Sequence, residues 1–156
     1  MRNPAVEVDI RDCFGTIDHA ALMAEVARRV VDRPMLKLVR ARLRMGVLQG
    51  GVTSPTGAGT IQGSPISPLL ANLALHVLDE TWQGEGRRRG VLVRYCYDFV
   101  VLSPTSQRAE QARELAARVL DGLGMRLRPE KSGITCLGRG GRGFDYLGFH
   151  HRKVES

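Results

Sequence analysis

Apolar and polar positions alternate over AVEVDI (residues 5–10), and the run is rich in β-branched side chains. That pattern predicts a short strand ending at Asp9. From Asp18 the period lengthens. HAALMAEVARRVVDR carries apolar residues at helical spacing, with Asp18 as its N-cap, and Pro34 separates it from a second amphipathic helix, MLKLVRARLRM. Residues 46–60, GVLQGGVTSPTGAGT, are rich in Gly, Ser, Thr and Pro and predict a loose hairpin or a mobile loop. A strongly apolar helix, LLANLALHVLDETW, opens at Pro68.

Two apolar runs, GVLVRYC and DFVVL, flank a tight turn and predict a β-hairpin with Asp98 at its tip. Thr105 to Leu123 reads as a helix with Gly122 or Gly124 at its C-cap. Short strands follow around MRLR, GITCL and FDYLGF. The GRGGRG insert at 138–143 reads as a flexible turn, because no helix pattern follows it to make a phosphate loop. The order β-α-α-loop-α-β-β-α-β-β predicts an α+β fold with helices packed on one face of a mainly antiparallel sheet.

Composition narrows the functional classes. The chain has 156 residues, 43% of them hydrophobic, which suits one compact domain and argues against wholesale disorder. Its formal net charge of +7 is the footprint of a nucleic-acid binder. Most of the cations are arginines, clustered at Arg28-Arg29, Arg40-Arg42-Arg44, Arg87-Arg88-Arg89 and Arg126-Arg128. Their planar forks match phosphate oxygens, although any one cluster also reads as a solvated helix face. Cys13, Cys96 and Cys136 are odd in number and widely spaced, which indicates neither a disulfide framework nor a zinc knuckle. No apolar run reaches membrane-spanning length and the N-terminus lacks a signal-peptide layout, so the expected location is the cytoplasm.

Candidate chemistry lies in three blocks. DIRDCFGTIDH (Asp9 to His19) has an aspartate at a strand end and an aromatic five residues later. QGSPISPLLANLALHVLD (Gln62 to Asp79) is a polar turn feeding a long helix. RYCYDFVVL (Arg94 to Leu102) is the hairpin carrying Asp98. Two carboxylates brought together from a strand end and an adjacent hairpin could hold Mg²⁺, a hard cation that takes oxygen ligands and shares its waters with substrate phosphates. Taken singly, Asp9 reads as a strand-end cap and Asp98 as a turn residue.

Together the blocks resemble the palm of group II intron reverse transcriptases, the intron-encoded maturases, from about Val6 to about Arg152. The family forms are close to DI-KG-FFD-IDH, QGSPISPLLANL-L and RYADDF-V. The resemblance implies an RNA-directed DNA polymerase palm using Mg²⁺ or Mn²⁺, with RNA, an RNA–DNA hybrid and a deoxynucleoside triphosphate as partners and no membrane. It implies metal binding by Asp9, Asp98 and the Ile10 carbonyl, and a sugar-sensing aromatic gate at Phe14. Nucleotide and template contacts fall at Gln62 and Gly63, and a general acid at Lys131. Read from the residues alone, Lys131 is a surface lysine after a turn. YLGF (Tyr146 to Phe149), where the family grips the primer end, is by itself a core strand.

The sequence departs from the family at three points. Tyr97 stands where the first aspartate of the Asp-Asp pair belongs, and a neutral phenol is a poor Mg²⁺ ligand. Gly15 replaces an aspartate. Asp12, three residues from Asp9, is expected on the opposite face of an extended strand and so does not replace the missing ligand. Residues 1–156 are expected to form one palm domain, with fingers, thumb and maturase domains absent and activity alone weak or lacking. Two alternatives remain open at this point: a non-catalytic RNA-binding maturase-like module, and a decayed intron-gene fragment. Apolar surface bare along LLANLALHVL or VLVRYC would favour self-association.

Overall fold

The opening alternation forms β1 (Pro4–Val8), which buries Val6 and Val8 on one face. The computed structural model describes residues 4–45, 47–49, 52–54, 58–60, 64–137 and 143–152, with 47–49 and 52–54 as backbone alone. After β1 come β2 (Ile10–Arg11), α1 (Cys13–Thr16), α2 (His19–Ala27) and α3 (Arg33–Arg44). A small hairpin of β3 (Val47–Gln49) and β4 (Val52–Ser54) follows, settling the choice between hairpin and loop in that stretch. Next are α4 (Ser67–Gln83), a 3₁₀ turn at Glu85–Arg88, β5 (Val91–Tyr95), β6 (Asp98–Leu102) and α5 (Ser106–Gly122). The chain closes with β7 (Arg126–Leu127), β8 (Gly133–Cys136), β9 (Phe144–Tyr146) and β10 (Phe149–His151).

The main sheet has the order β5-β6-β1-β8, antiparallel throughout. Side chains alternate across a strand, so Val6 and Val8 share a face with Phe99, Val101, Leu92 and Ile134. That face meets α5, whose Ala109, Ala112 and Ala116 are small enough to let the helix approach the sheet closely. Leu115 and Leu120 fill the layer between. Burying each such aliphatic side chain stabilises the fold by about 1.5–3 kcal/mol. In the helical layer α4 touches both α2 and α5, and its Leu70, Ala74, Leu75 and Leu78 are buried there. The apolar run LLANLALHVL is therefore mostly covered, and Leu69 is its exposed exception.

The opposite face of the sheet is partly roofed by the β9–β10 hairpin. Phe144 packs there against Ala5 and Val100, with Tyr146 beside them. The expectation of a core strand at YLGF needs correction. Leu147 and Gly148 form the hairpin turn, both at positive φ, and Phe149 is 71% exposed. The apolar letters are real but the element is too short to be covered on both sides. Helix ends also moved: α2 stops at Ala27, well before Pro34, which instead occupies the first turn of α3, where its missing N–H costs nothing. Residues 138–142 of the GRGGRG insert lie outside the described residues.

Candidate active site

β1 pairs with β6 in a register that ends with Val8 opposite Phe99, which leaves Asp9, just past β1, near Asp98, the first residue of β6, and both line one cleft. Both carboxylates leave the sheet on its polar face, at one end of a cleft of about 560 Å³ lined also by Glu7, Val100, Lys131, Asp145 and Tyr146. Burial, and then the charge of Asp9, push the Asp98 carboxyl above its ordinary range. A cation between the two would relieve that repulsion.

Asp9 is fixed by a turn distant in sequence. Its N–H donates to Ser132 Oγ (3.2 Å), while its carbonyl accepts from the Arg128 N–H (2.8 Å) and from the Ser132 hydroxyl (3.3 Å). Its carboxylate accepts from Arg128 Nη1 at 3.2 Å, and Lys131 Nζ lies 3.9 Å away. Ile10 follows directly, paired with Leu127 across β2–β7. The structure thus brings Asp9, Ile10, Asp98 and Lys131 to one place.

The hairpin tip is held from below. Arg94 has the same strand parity as Leu92, so its side chain faces the helices and is only 13% exposed. Its guanidinium forks onto Asp79 of α4 (Nε to Oδ1 2.9 Å, with Nη2 on Oδ2) and donates through Nη1 to Asn72 Oδ1 (2.9 Å) and to the Cys96 carbonyl (2.6 Å). Cys96 adopts a left-handed conformation, φ 53°, and this bond anchors it. Arg94 opens the RYCYDFVVL block and Arg128 belongs to an arginine cluster, but neither of them nor Ser132 carried an expected role in the site. A charge at a core-facing position of the alternation VLVRY is the signal that could have revealed Arg94.

Tyr97 projects from the tip, 39% exposed, with its ring edge-on to Phe14. Phe14 is itself seated by α1 and by Thr60, whose N–H donates to the Phe14 carbonyl at 2.6 Å. Asp12 takes no part in the carboxylate pair. The strand stops before it, φ is 44°, and its side chain accepts from the Gly15 N–H as the cap of α1 (3.1 Å). This also accounts for Gly15: a Cβ there would lie 2.1 Å from Asp12 Oδ2, so any larger residue displaces the cap. Burial pushes the Cys13 thiol up to about 11, aided by the Asp12 charge, which makes it an inert core thiol. Gln62 and Gly63 lie outside the described residues.

The family model described as "Reverse transcriptase (RNA-dependent DNA polymerase)" matches residues 2–151. The chain belongs to the reverse transcriptase family. Curated relatives include the "Group II intron-encoded protein LtrA" of Lactococcus lactis subsp. cremoris, 41% identical over 75 residues, or 48% of this chain and 12% of the relative. "Protein YkfC" of Escherichia coli (strain K12) is 29% identical over 181 residues, covering 96% of this chain and 46% of the relative. A telomerase from Candida albicans, solved with a TWJ fragment of telomeric RNA, superposes with a TM-score of 0.73 at 13% identity, over 96% of this chain and 29% of the other. At that identity the likeness establishes the fold, the α+β polymerase palm. The chain spans less than half the length of each of these relatives.

Reverse transcriptases generally use divalent metal ions. Among the described residues no three or more His, Cys, Asp or Glu gather into a metal-ligand set. Two carboxylates with hard oxygens and mutual repulsion still fit a Mg²⁺ or Mn²⁺ ion, which keeps several of its waters.

Proposed function

We propose that this reverse-transcriptase chain is a palm domain whose Asp9 and Asp98 hold Mg²⁺ or Mn²⁺ at the primer end on an RNA template. The observation that carries the reading is the β1–β6 register that brings Asp9 and Asp98 into one cleft, with the Asp98 carboxyl raised by burial and by Asp9. The Ile10 carbonyl would be a further ligand. When bound, such an ion activates the attacking hydroxyl and stabilises charge on the leaving phosphates.

The chain's own residues do the rest. Arg128 and Ser132 orient Asp9, and Arg94 holds the turn before Asp98. Lys131, 3.9 Å from the Asp9 carboxylate, would give a proton to a departing pyrophosphate. Phe14 walls the sugar side of an incoming deoxynucleoside triphosphate, and Gln62 and Gly63 contact that nucleotide and the template. Tyr97 brings no carboxylate, and losing one charge-stabilising group from a site commonly lowers the rate by about 10²–10³. Among the described residues no helix is long and apolar enough to cross a membrane, which suits an enzyme of RNA in the cytoplasm.

Primer extension on an RNA template, with Mg²⁺ and then Mn²⁺, tests this. The expected result is weak extension, abolished by Asp9→Asn or Asp98→Asn. Extension indifferent to both substitutions would refute the site. The second reading, a module that binds RNA without polymerising, is favoured by one observation, the Tyr97 ring against Phe14 where the nucleotide would enter. It predicts RNA binding with no extension in either metal.

β5 is an edge strand, and Val91 and Tyr95 on it are 64% and 63% exposed. That edge suits pairing with a second copy. A single monomeric species in sedimentation across a wide concentration range would count against self-association.

A further inference from the structure

α3 has the sequence RPMLKLVRARLR, five cations and no carboxylate. Four of them, Arg33, Lys37, Arg40 and Arg44, are spaced by four, three and four residues and therefore fall in one stripe along the helix. All four are exposed. Among the described residues none has a carboxylate within ion-pair distance, whereas Arg28, Arg29, Arg94, Arg113, Arg118 and Arg128 each have one.

Local stability does not account for the stripe. Cations in the last turn, such as Arg44, complement the helix dipole, but Arg33 sits at the N-terminus, where a cation opposes it. Arg33 with Lys37, and Arg40 with Arg44, are like charges one turn apart and repel. The helix keeps its cations against its own preference.

We propose that the α3 stripe is a docking surface for the phosphate backbone of an A-form duplex, RNA or RNA–DNA hybrid. The stripe runs about 16 Å at 1.5 Å rise per residue, long enough to follow several phosphates of one strand. α3 has no aromatic side chain on which an unpaired base could stack, so it contacts backbone and not bases. Beside the stripe runs a groove of about 680 Å³ between α2 and α3, where Arg40 and Arg44 face His19 and Asp18. The Asp18 carboxylate there is committed to capping α2, accepting from the Ala21 N–H at 2.8 Å. The inference rests on the nucleic-acid half of the proposed function and not on its chemistry.

Fluorescence anisotropy with a labelled RNA duplex, titrated at several salt concentrations, tests it, with single-stranded RNA and a DNA duplex of equal length as separate arms. Replacing Arg33, Lys37, Arg40 and Arg44 by Gln lowers the formal charge from +7 to +3. It should weaken duplex binding roughly 10²-fold or more and flatten the slope of log K against log salt by about 3–4. A control of equal charge, with Arg87, Arg88, Arg113 and Arg118 changed to Gln, should lose less than about tenfold. Should the fourfold variant fail to fold by circular dichroism, the doubles Arg33→Gln/Lys37→Gln and Arg40→Gln/Arg44→Gln should each flatten the slope by about 2. An equal loss in the control, an unchanged slope in the stripe variants, tighter binding of single strands or no binding by the parent would each overturn the proposal. Tighter binding of the DNA duplex than of the RNA duplex would refute the A-form assignment. Lost extension with the stripe effect intact would sink the catalytic reading alone.

Discussion

The rings of Tyr97 and Phe14 meet edge to face, centroids 5.6 Å apart and planes at 78°. The residue that departs from the family's Asp-Asp pattern thus leans on the residue proposed as the sugar gate. Tyr97→Asp should have two separable effects. It should tighten Mn²⁺ binding at the hairpin at least tenfold, about 1.4 kcal/mol, read by calorimetry or by the electron-spin signal of free Mn²⁺. It should also free Phe14, at a cost near the lower end of the about 0.5–1.5 kcal/mol of an aromatic pair, since Tyr97 is partly solvated. Unchanged Mn²⁺ affinity would show that Tyr97 is not what weakens the site.

Arg94 ties the hairpin to α4. Arg94→Gln leaves Asp79 without its bidentate partner and the Cys96 carbonyl without its anchor. The expected loss is about 2–3 kcal/mol in urea unfolding, below the figure for a fully buried pair because Asp79 keeps some solvent contact. In the folded variant the nuclear Overhauser contact between the Phe14 and Tyr97 rings should weaken. A retained contact would mean that the turn needs no clamp.

Gly124 closes α5 at φ 75°, and a Cβ there would lie 2.9 Å from the Thr16 carbonyl oxygen and 3.1 Å from the Asp18 N. Both neighbours are backbone and cannot step aside, and Asp18 N–H also donates to the Leu123 carbonyl at 2.9 Å. Gly124→Ala should cost about 1–3 kcal/mol, the range of a non-glycine residue held in a strained region. A thermal midpoint equal to the parent's would contradict this account.

The pH dependence of stability should carry a signature of the Glu25–Arg28–Glu80 cluster that joins α2 to α4. Arg28 forks onto Glu80 (both bonds 2.8 Å) and reaches Glu25, which Arg29 also holds. Burial raises the Glu25 carboxyl, but Arg29 and Arg28 outweigh it, and the net shift is downward. Arg28 lowers Glu80 likewise. Folded values below unfolded ones mean the native state binds fewer protons, so this stabilisation is complete above the ordinary glutamate range and fades as pH falls through the lowered values. Melting temperatures taken from neutral to acid should fall less steeply for Glu25→Gln/Glu80→Gln than for the parent. Parallel curves would show the cluster to be neutral.

Much of the architecture was legible because it depends on local chemistry. The alternation in AVEV, the apolar run DFVVL, the Asp18 cap and the helix from Thr105 each act within a few residues, and each appears in the fold as the pattern implies. Where local rules competed, the reading slipped. Asp12 looked like part of a strand until its side chain capped α1, and Leu147 with Phe149 looked like core until the hairpin proved to be exposed.

The sequence by itself determined the family, the antiparallel α+β class, and which carboxylates were worth watching. Its blocks are continuous strings whose letters survive without any knowledge of contacts. Only the tertiary structure decided that Asp9 and Asp98 share one cleft, that Arg128 and Ser132 steady Asp9, that Arg94 grips the turn and that Tyr97 rests on Phe14. Each of those relations joins segments distant along the chain. Strand register and helix docking set them, through the joint burial of side chains from several elements that no local pattern contains.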